Sequence, residues 1–131
     1  MYNTFTNEEI IKSLLLKQTL ENDGREFKFI RALPDKCNPW LYVEYYEVDK
    51  FHYHRFIYNE EIGLKPVSAL QSLIFLPTGT TAYTDEDVTV NGHGWESTND
   101  RASLSIKSTF GYRHICRLTF NKNTGEFTQI V

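Results

Sequence analysis

Turn signals recur along most of this chain at intervals too short for helices, and between them apolar and polar residues alternate. Phe27 and Phe29 flank Lys28, and Leu104 and Ile106 alternate with polar neighbours from Ser103 to Thr109. A period of two sends successive side chains to opposite faces of an extended chain, so this sequence is constrained to build sheet. The breaks are Pro34-Asp35, Asp49-Lys50, Pro77-Thr78-Gly79, Asn91-Gly92 and Asn123-Thr124-Gly125, all combinations that stop a strand or turn it back. Leu41 to Val48 and Phe51 to Tyr58 read as two strands of a hairpin around Asp49-Lys50. Asn59 to Pro66 reads as loop and Leu70 to Leu76 as a short apolar segment. Val88-Thr89-Val90 followed by Asn91-Gly92 predicts a hairpin with a type I′ turn. Phe110, Tyr112, His114, Cys116, Leu118 and Phe120 line one face of a further strand, and Phe127 to Val131 is the last.

Before Gly24 the pattern is different. Thr6-Asn7-Glu8-Glu9 has the form of a capping box, with Phe5 and Ile10 able to close a hydrophobic staple around it. Ile10, Ile11, Leu14 and Leu15 then share one helical face, which predicts a helix ending near Glu21 to Asp23 and packing as a lid on the sheet. One helix followed by seven or eight short strands fits a single domain over residues 1–131. So many strands in so short a chain would remove their edges by curling an antiparallel sheet into a barrel, and an eight-stranded barrel can hold one small ligand.

Charge and composition exclude several functions. There are 14 Lys and Arg against 17 Asp and Glu, a net charge of −3, with no basic run; a protein living on nucleic-acid phosphates would carry a basic face. No apolar run approaches the roughly 20 residues that span a bilayer, and no secretory signal is expected at the N-terminus. Cys37 and Cys116 stand alone without CxxC spacing, so free thiols in a reducing compartment are the simplest reading, with one disulfide left open. Aromatic residues make up 15% of the chain, enough either to line a pocket for a flat ligand or merely to fill a β core.

The densest stretch is Trp40 to Tyr58, WLYVEYYEVDKFHYHRFIY, in which eight of nineteen residues are aromatic yet Glu44, Glu47, His52, His54 and Arg55 are interspersed. By parity Tyr42, Glu44 and Tyr46 share one face and Leu41, Val43, Tyr45 and Glu47 the other. In the next strand Phe51, Tyr53, Arg55 and Ile57 lie together, against His52, His54, Phe56 and Tyr58. Arg31 is expected on the face of Phe27 and Phe29. If Arg31, Glu44 and Arg55 all point inwards, two guanidiniums and a carboxylate sit among rings; on the outer face the same charges would form an ordinary surface pair. His52 and His54 have zinc-like spacing, but His93 and His114 supply no patterned third ligand, so no metal site is expected. Cys116 and His114 share a strand face, an i, i+2 relation common by chance. GxSxG, P-loop and GxGxxG motifs are absent.

The segment from Phe29 to Tyr58 resembles the T-type phycobiliprotein chromophore lyases. Arg31-Ala32-Leu33-Pro34, Leu41-Tyr42-Val43-Glu44 and His54-Arg55-Phe56 stand in the same order and at similar spacing to that family's "IRPLP", "LYVEQ" and "YRQRV" strands. The match covers about thirty residues. Tyr53 replaces the first arginine of the last motif and His54 its glutamine, while Asn99-Asp100-Arg101 matches a family "DRG" element only loosely, with Ala102 for glycine. The resemblance implies a lipocalin-like (calycin) barrel that binds a phycobilin, phycoerythrobilin for example, and delivers it to an acceptor cysteine on a phycobiliprotein subunit. It also implies roles. Glu44 would act on the pyrrole nitrogens and assist proton transfer. Arg31 and Arg55 would pair with the propionates, and Tyr42, Tyr46, Tyr53 and His54 would contact the pigment. No prosthetic cofactor, nucleic acid or membrane is implied. A homodimer stays open, as does a carrier of another apolar ligand in the same barrel, or an interaction protein whose barrel is filled. The short length suits a reduced version of the kind phages of cyanobacteria carry, acting in the host cytoplasm.

Overall fold

The computed structural model describes residues 24–131 except 35, 38, 85 and 86. The helix expected from the Thr6 capping box lies outside the described residues. The described chain is mainly β and forms two antiparallel sheets. Strands β1 (Phe27–Leu33), β2 (Leu41–Glu47), β3 (His52–Asn59) and β4 (Gly63–Val67) pair in sequence order to make the first. A short helix, α1 (Ala69–Ser72), follows. Strands β5 (Thr81–Tyr83), β6 (Thr89–Ser97), β7 (Arg101–Ser108), β8 (His114–Asn121) and β9 (Phe127–Ile130) make the second, again in order. Among the described residues no ladder joins one sheet to the other, so the expected closed barrel is replaced by two sheets held together by packing. The reason lies in the connection between β4 and β5. Leu73, Ile74, Phe75 and Leu76 are all buried there, so the chain passes through the core instead of continuing a hairpin.

The core between the sheets takes Tyr42, Ile57 and Val67 from the first sheet and Ala102, Leu104, Ile106, Cys116, Leu118 and Phe120 from the second. Phe75 stands between them, stacked on Tyr42 with centroids 5.8 Å apart and edge-on to Phe120 at 5.1 Å. At one end Trp40 closes the layer. Its ring meets Phe120 at 5.6 Å and its indole N–H donates to the Lys122 carbonyl at 2.7 Å. Gly125 is required at this end: a Cβ there would come within 2.6 Å of the Trp40 ring, and its φ is +77°. A second cluster, Phe27, Leu41, Val43 and Tyr45, lies on the opposite face of the first sheet. Strand β2 is therefore buried on both faces, which is why its burial does not alternate even though its side chains do.

Four local expectations change. Residues 59–66 are not loop. Asn59 Oδ1 accepts the N–H groups of Glu61 and Ile62 at 2.9 and 3.1 Å, an Asx turn that closes a hairpin and lets β4 pair with β3. Pro66 is tolerated because β4 is an edge strand. Asn91-Gly92 is no turn either, since both lie inside β6 opposite Lys107 and Ile106. Gly92 is needed because a Cβ would stand 2.3 Å from Leu104, and the irregularity comes one step later, at a bulge between His93 and Glu96. Phe110 and Tyr112 leave the strand face assigned to them. They belong to the turn before β8, where Gly111 and Tyr112 take positive φ. Finally, a bulge between Phe29 and Arg31 reverses β1. Phe29 pairs with Tyr45 but Arg31 pairs with Glu44, so Arg31 does not share the face of Phe27 and Phe29.

Candidate ligand-binding site

The hairpin at 48–51 sets the register of β2 against β3: Tyr42 opposes Ile57, Glu44 opposes Arg55, and Tyr46 opposes Tyr53. Because Tyr42 and Ile57 belong to the core between the sheets, the whole row Tyr42, Glu44, Tyr46, Tyr53, Arg55 looks towards the second sheet. The β1 bulge adds Arg31. Six of the seven residues singled out in the sequence therefore share one face.

Glu44 is the centre of that face and is only 6% exposed. Its Oε1 accepts the Tyr42 hydroxyl at 2.9 Å and lies 3.6 Å from Arg31 Nε. Among the described residues nothing donates to Oε2. The side chain of Arg55, directly across the strand pair, makes no hydrogen bond or ion pair with any described residue; its guanidinium lies 5.4 Å from the Tyr53 ring centroid. Tyr46 and Tyr53 touch at 4.9 Å, and Tyr53 is 44% exposed. A buried carboxylate costs several kcal/mol unless its oxygens are bonded. Among the described residues half of Glu44 is bonded and half is open, beside a guanidinium that is also open.

Tyr42 is a wall of the site, not a contact surface. It is fully buried, and burial, followed by the charge and hydrogen bond of Glu44, pushes its hydroxyl above the usual phenol range; Arg55 and the Ser72 hydroxyl pull the other way. Ser72 and Phe75, which hold the far side of Tyr42, were not anticipated as site residues. The signal was present in Ser68-Ala69-Leu70-Gln71: Ser68 Oγ accepts the Gln71 N–H at 3.1 Å and the Gln71 side chain accepts the Ser68 N–H at 2.9 Å, a capping box.

His54 is the residue the structure removes from this group. It points to the opposite face, where its Nε2 meets Glu47 Oε1 at 2.9 Å and its ring packs edge-on to Phe27 at 5.3 Å. Glu47 is fully buried there and also takes two hydrogen bonds from Arg25. The hydrogen bonds from Arg25, then that to His54, hold its carboxyl down at about 2. His52 and His54 meet edge to face at 4.8 Å, but among the described residues no group of three metal-ligating side chains forms. Both cysteines are buried and free. Burial pushes the Cys37 thiol up to about 11 and raises that of Cys116, so neither is an activated nucleophile. No family model matches the chain, and neither a curated protein nor a solved structure does.

Proposed function

We propose that this protein binds an open-chain tetrapyrrole, a phycobilin such as phycoerythrobilin, and hands it to an acceptor cysteine of a phycobiliprotein subunit as a chaperone or lyase. On this reading the two sheets act as the calyx of a lipocalin-like barrel. One observation carries the proposal: among the described residues nothing donates to Glu44 Oε2 and no side chain pairs with Arg55 opposite, whose guanidinium lies beside the Tyr53 ring. A ligand for that pair must offer an N–H donor and an anion on a flat apolar frame. A bilin does so, with pyrrole N–H groups for Oε2, a propionate for Arg55, and conjugated rings for Tyr46 and Tyr53. A purely apolar cargo would desolvate both charges and pair neither, which ranks the simple carrier second.

Transfer would be an addition that balances without an oxidant. The acceptor thiol, from the partner protein, adds its sulfur to the ethylidene carbon, and its proton ends on the adjoining pigment carbon. Arg31 and Arg55 hold the pigment still for that attack, and Glu44 relays the proton. The test is to mix purified protein with phycoerythrobilin and compare visible absorption and fluorescence with free pigment. A shifted, sharpened band that survives desalting is expected. A spectrum identical to free pigment overturns the proposal and leaves a filled core that serves interaction.

A further inference from the structure

The outer face of the first sheet, away from Glu44, is buried more completely than the sheet can bury it alone. Leu41, Val43, Tyr45 and Glu47 point that way from β2 and are 4%, 0%, 0% and 0% exposed. The apolar cluster around the first three draws its other members, Phe27 and Phe56 among them, from β1, β3 and β4. Among the described residues all of it therefore belongs to one sheet. Side chains on one face of a sheet stand side by side, so they shield each other's flanks but not their tips. Burial this complete along β2 requires a layer above it. The second sheet cannot be that layer, because it packs on Tyr42 and Ile57 from the other side.

The outline of the burial identifies what the layer is. Cover is complete along β2 and falls away beside it: Phe29 on β1 is 44% exposed, and Phe56 and Tyr58 on β3 are half-buried. A band three strands wide measures about 10 Å, which is about the diameter of one helix. From Leu41 to Glu47 the band runs about 20 Å, a distance that a helix of about 13 residues spans.

The chain enters at one end of this band. Arg25 grips Glu47 on the outer face, and the Val48 N–H donates to the Glu26 carbonyl at 3.0 Å, so the residues before β1 arrive at the Glu47 end. Phe27, paired with Glu47, is buried there too. Gly24 has φ of +83°, the left-handed conformation that ends helices and turns the chain. A helix ending at Gly24 can run back over β2 towards Leu41. Residues 6–22 have the length for it, and Ile10, Ile11, Leu14 and Leu15 form the apolar stripe such a layer needs. We infer that residues 6–22 of this chain lie across the outer face of the first sheet, with that stripe against Val43 and Tyr45. The inference does not depend on the pigment reading. It makes this segment a backing for β2, on the side opposite Glu44, and not a lid over the ligand face.

The test uses the full chain with the photoactivated cross-linker p-benzoylphenylalanine in place of Phe56 or, separately, of the half-exposed Phe29, where the added bulk reaches solvent. Products are sized on a denaturing gel, and the joined peptides are identified by mass spectrometry. Expected from either position is a monomer-sized product joined to a peptide within residues 6–22. The same cross-linker in place of Tyr53, on the Glu44 face, should give no such product. A joined dimer from Phe29 or Phe56 overturns the inference by making a second copy the cover. No product from both positions overturns it by leaving the face open. A join to residues 6–22 from Tyr53 alone overturns it by placing the segment on the ligand face. Pigment enters none of these outcomes, so this inference and the functional proposal fail separately.

Discussion

Two carboxylates on β2, three residues apart, face opposite sides of the same sheet and have opposite environments. Glu47 is closed: Arg25 grips both of its oxygens and His54 bonds one of them. Among the described residues Glu44 is half open, bonded at Oε1 and bare of donors at Oε2, and the guanidinium across the strand has no ion-pair partner. Burial is nearly equal, so burial alone does not distinguish structure from function here. Saturation does. A buried charge whose partners are all internal stabilises the fold, and one with an unspent bonding position is suited to a ligand.

The strongest way to break the comparison is Glu47→Gln. Gln cannot take the charge-assisted pair of bonds from Arg25, so this variant is expected to melt further below the wild type than any other substitution discussed here. Pigment binding per folded molecule should be unchanged. The pH dependence follows from the same bonds. Glu47 titrates at about 2 in the fold against an ordinary 4.5, so its stabilisation is complete above pH 4.5 and is lost as pH falls towards 2. The wild type should lose stability across that window in acid denaturation, and the variant should lack that part of the slope. Matching acid profiles would mean Glu47 is not closed.

Glu44→Gln should do the reverse. The half-exposed Arg31 contact contributes little to stability, and a Gln carbonyl still accepts from Tyr42, so the melting temperature should barely move. Phycoerythrobilin affinity should fall roughly 10- to 100-fold, the equivalent of a charged hydrogen bond of about 1.5–3 kcal/mol. A large stability loss with unchanged affinity would make Glu44 a second Glu47. Arg55→Ala should weaken binding about tenfold and leave Oε2 of Glu44 free to bind N–H donors. A titration with a bilin whose propionates are esterified should then no longer distinguish variant from wild type.

This site was legible as far as strand parity reached. Parity places Tyr42, Glu44 and Tyr46 together and Arg55 with Tyr53, and the hairpin at Asp49-Lys50 aligns the two rows. Arg31 joined them for a reason parity cannot supply: the bulge after Phe29 adds one residue and turns the strand over. The Arg25–Glu47 pair was missed because its partners are 22 residues apart with no local pattern between them. Asn91-Gly92 misled because its composition is that of a turn, while the glycine answers to Leu104 across the sheet. Local chemistry carried the turns at Asp49-Lys50 and Asn123-Thr124-Gly125, while the capping box at Ser68 stood in the sequence unread; contacts between distant segments decided the rest.

The smallest expected effect sharpens the comparison most. Within its strand His54 is the immediate neighbour of Arg55, and its motif position suggested pigment contact, yet it bonds Glu47 on the far face. In His54→Gln the side-chain amide can still donate to Glu47 Oε1. What is lost is the ring, which lies parallel to Phe56 at 6.4 Å and edge-on to Phe27 at 5.3 Å, so a destabilisation of about 0.5–1.5 kcal/mol is expected. Pigment affinity should stay within about twofold of wild type, because adjacent strand residues project to opposite faces. A tenfold loss of affinity at unchanged stability would show that the two faces communicate through β3. In that case the closed carboxylate would hold the open one in place, and the division between structure and function on this sheet would have to be redrawn.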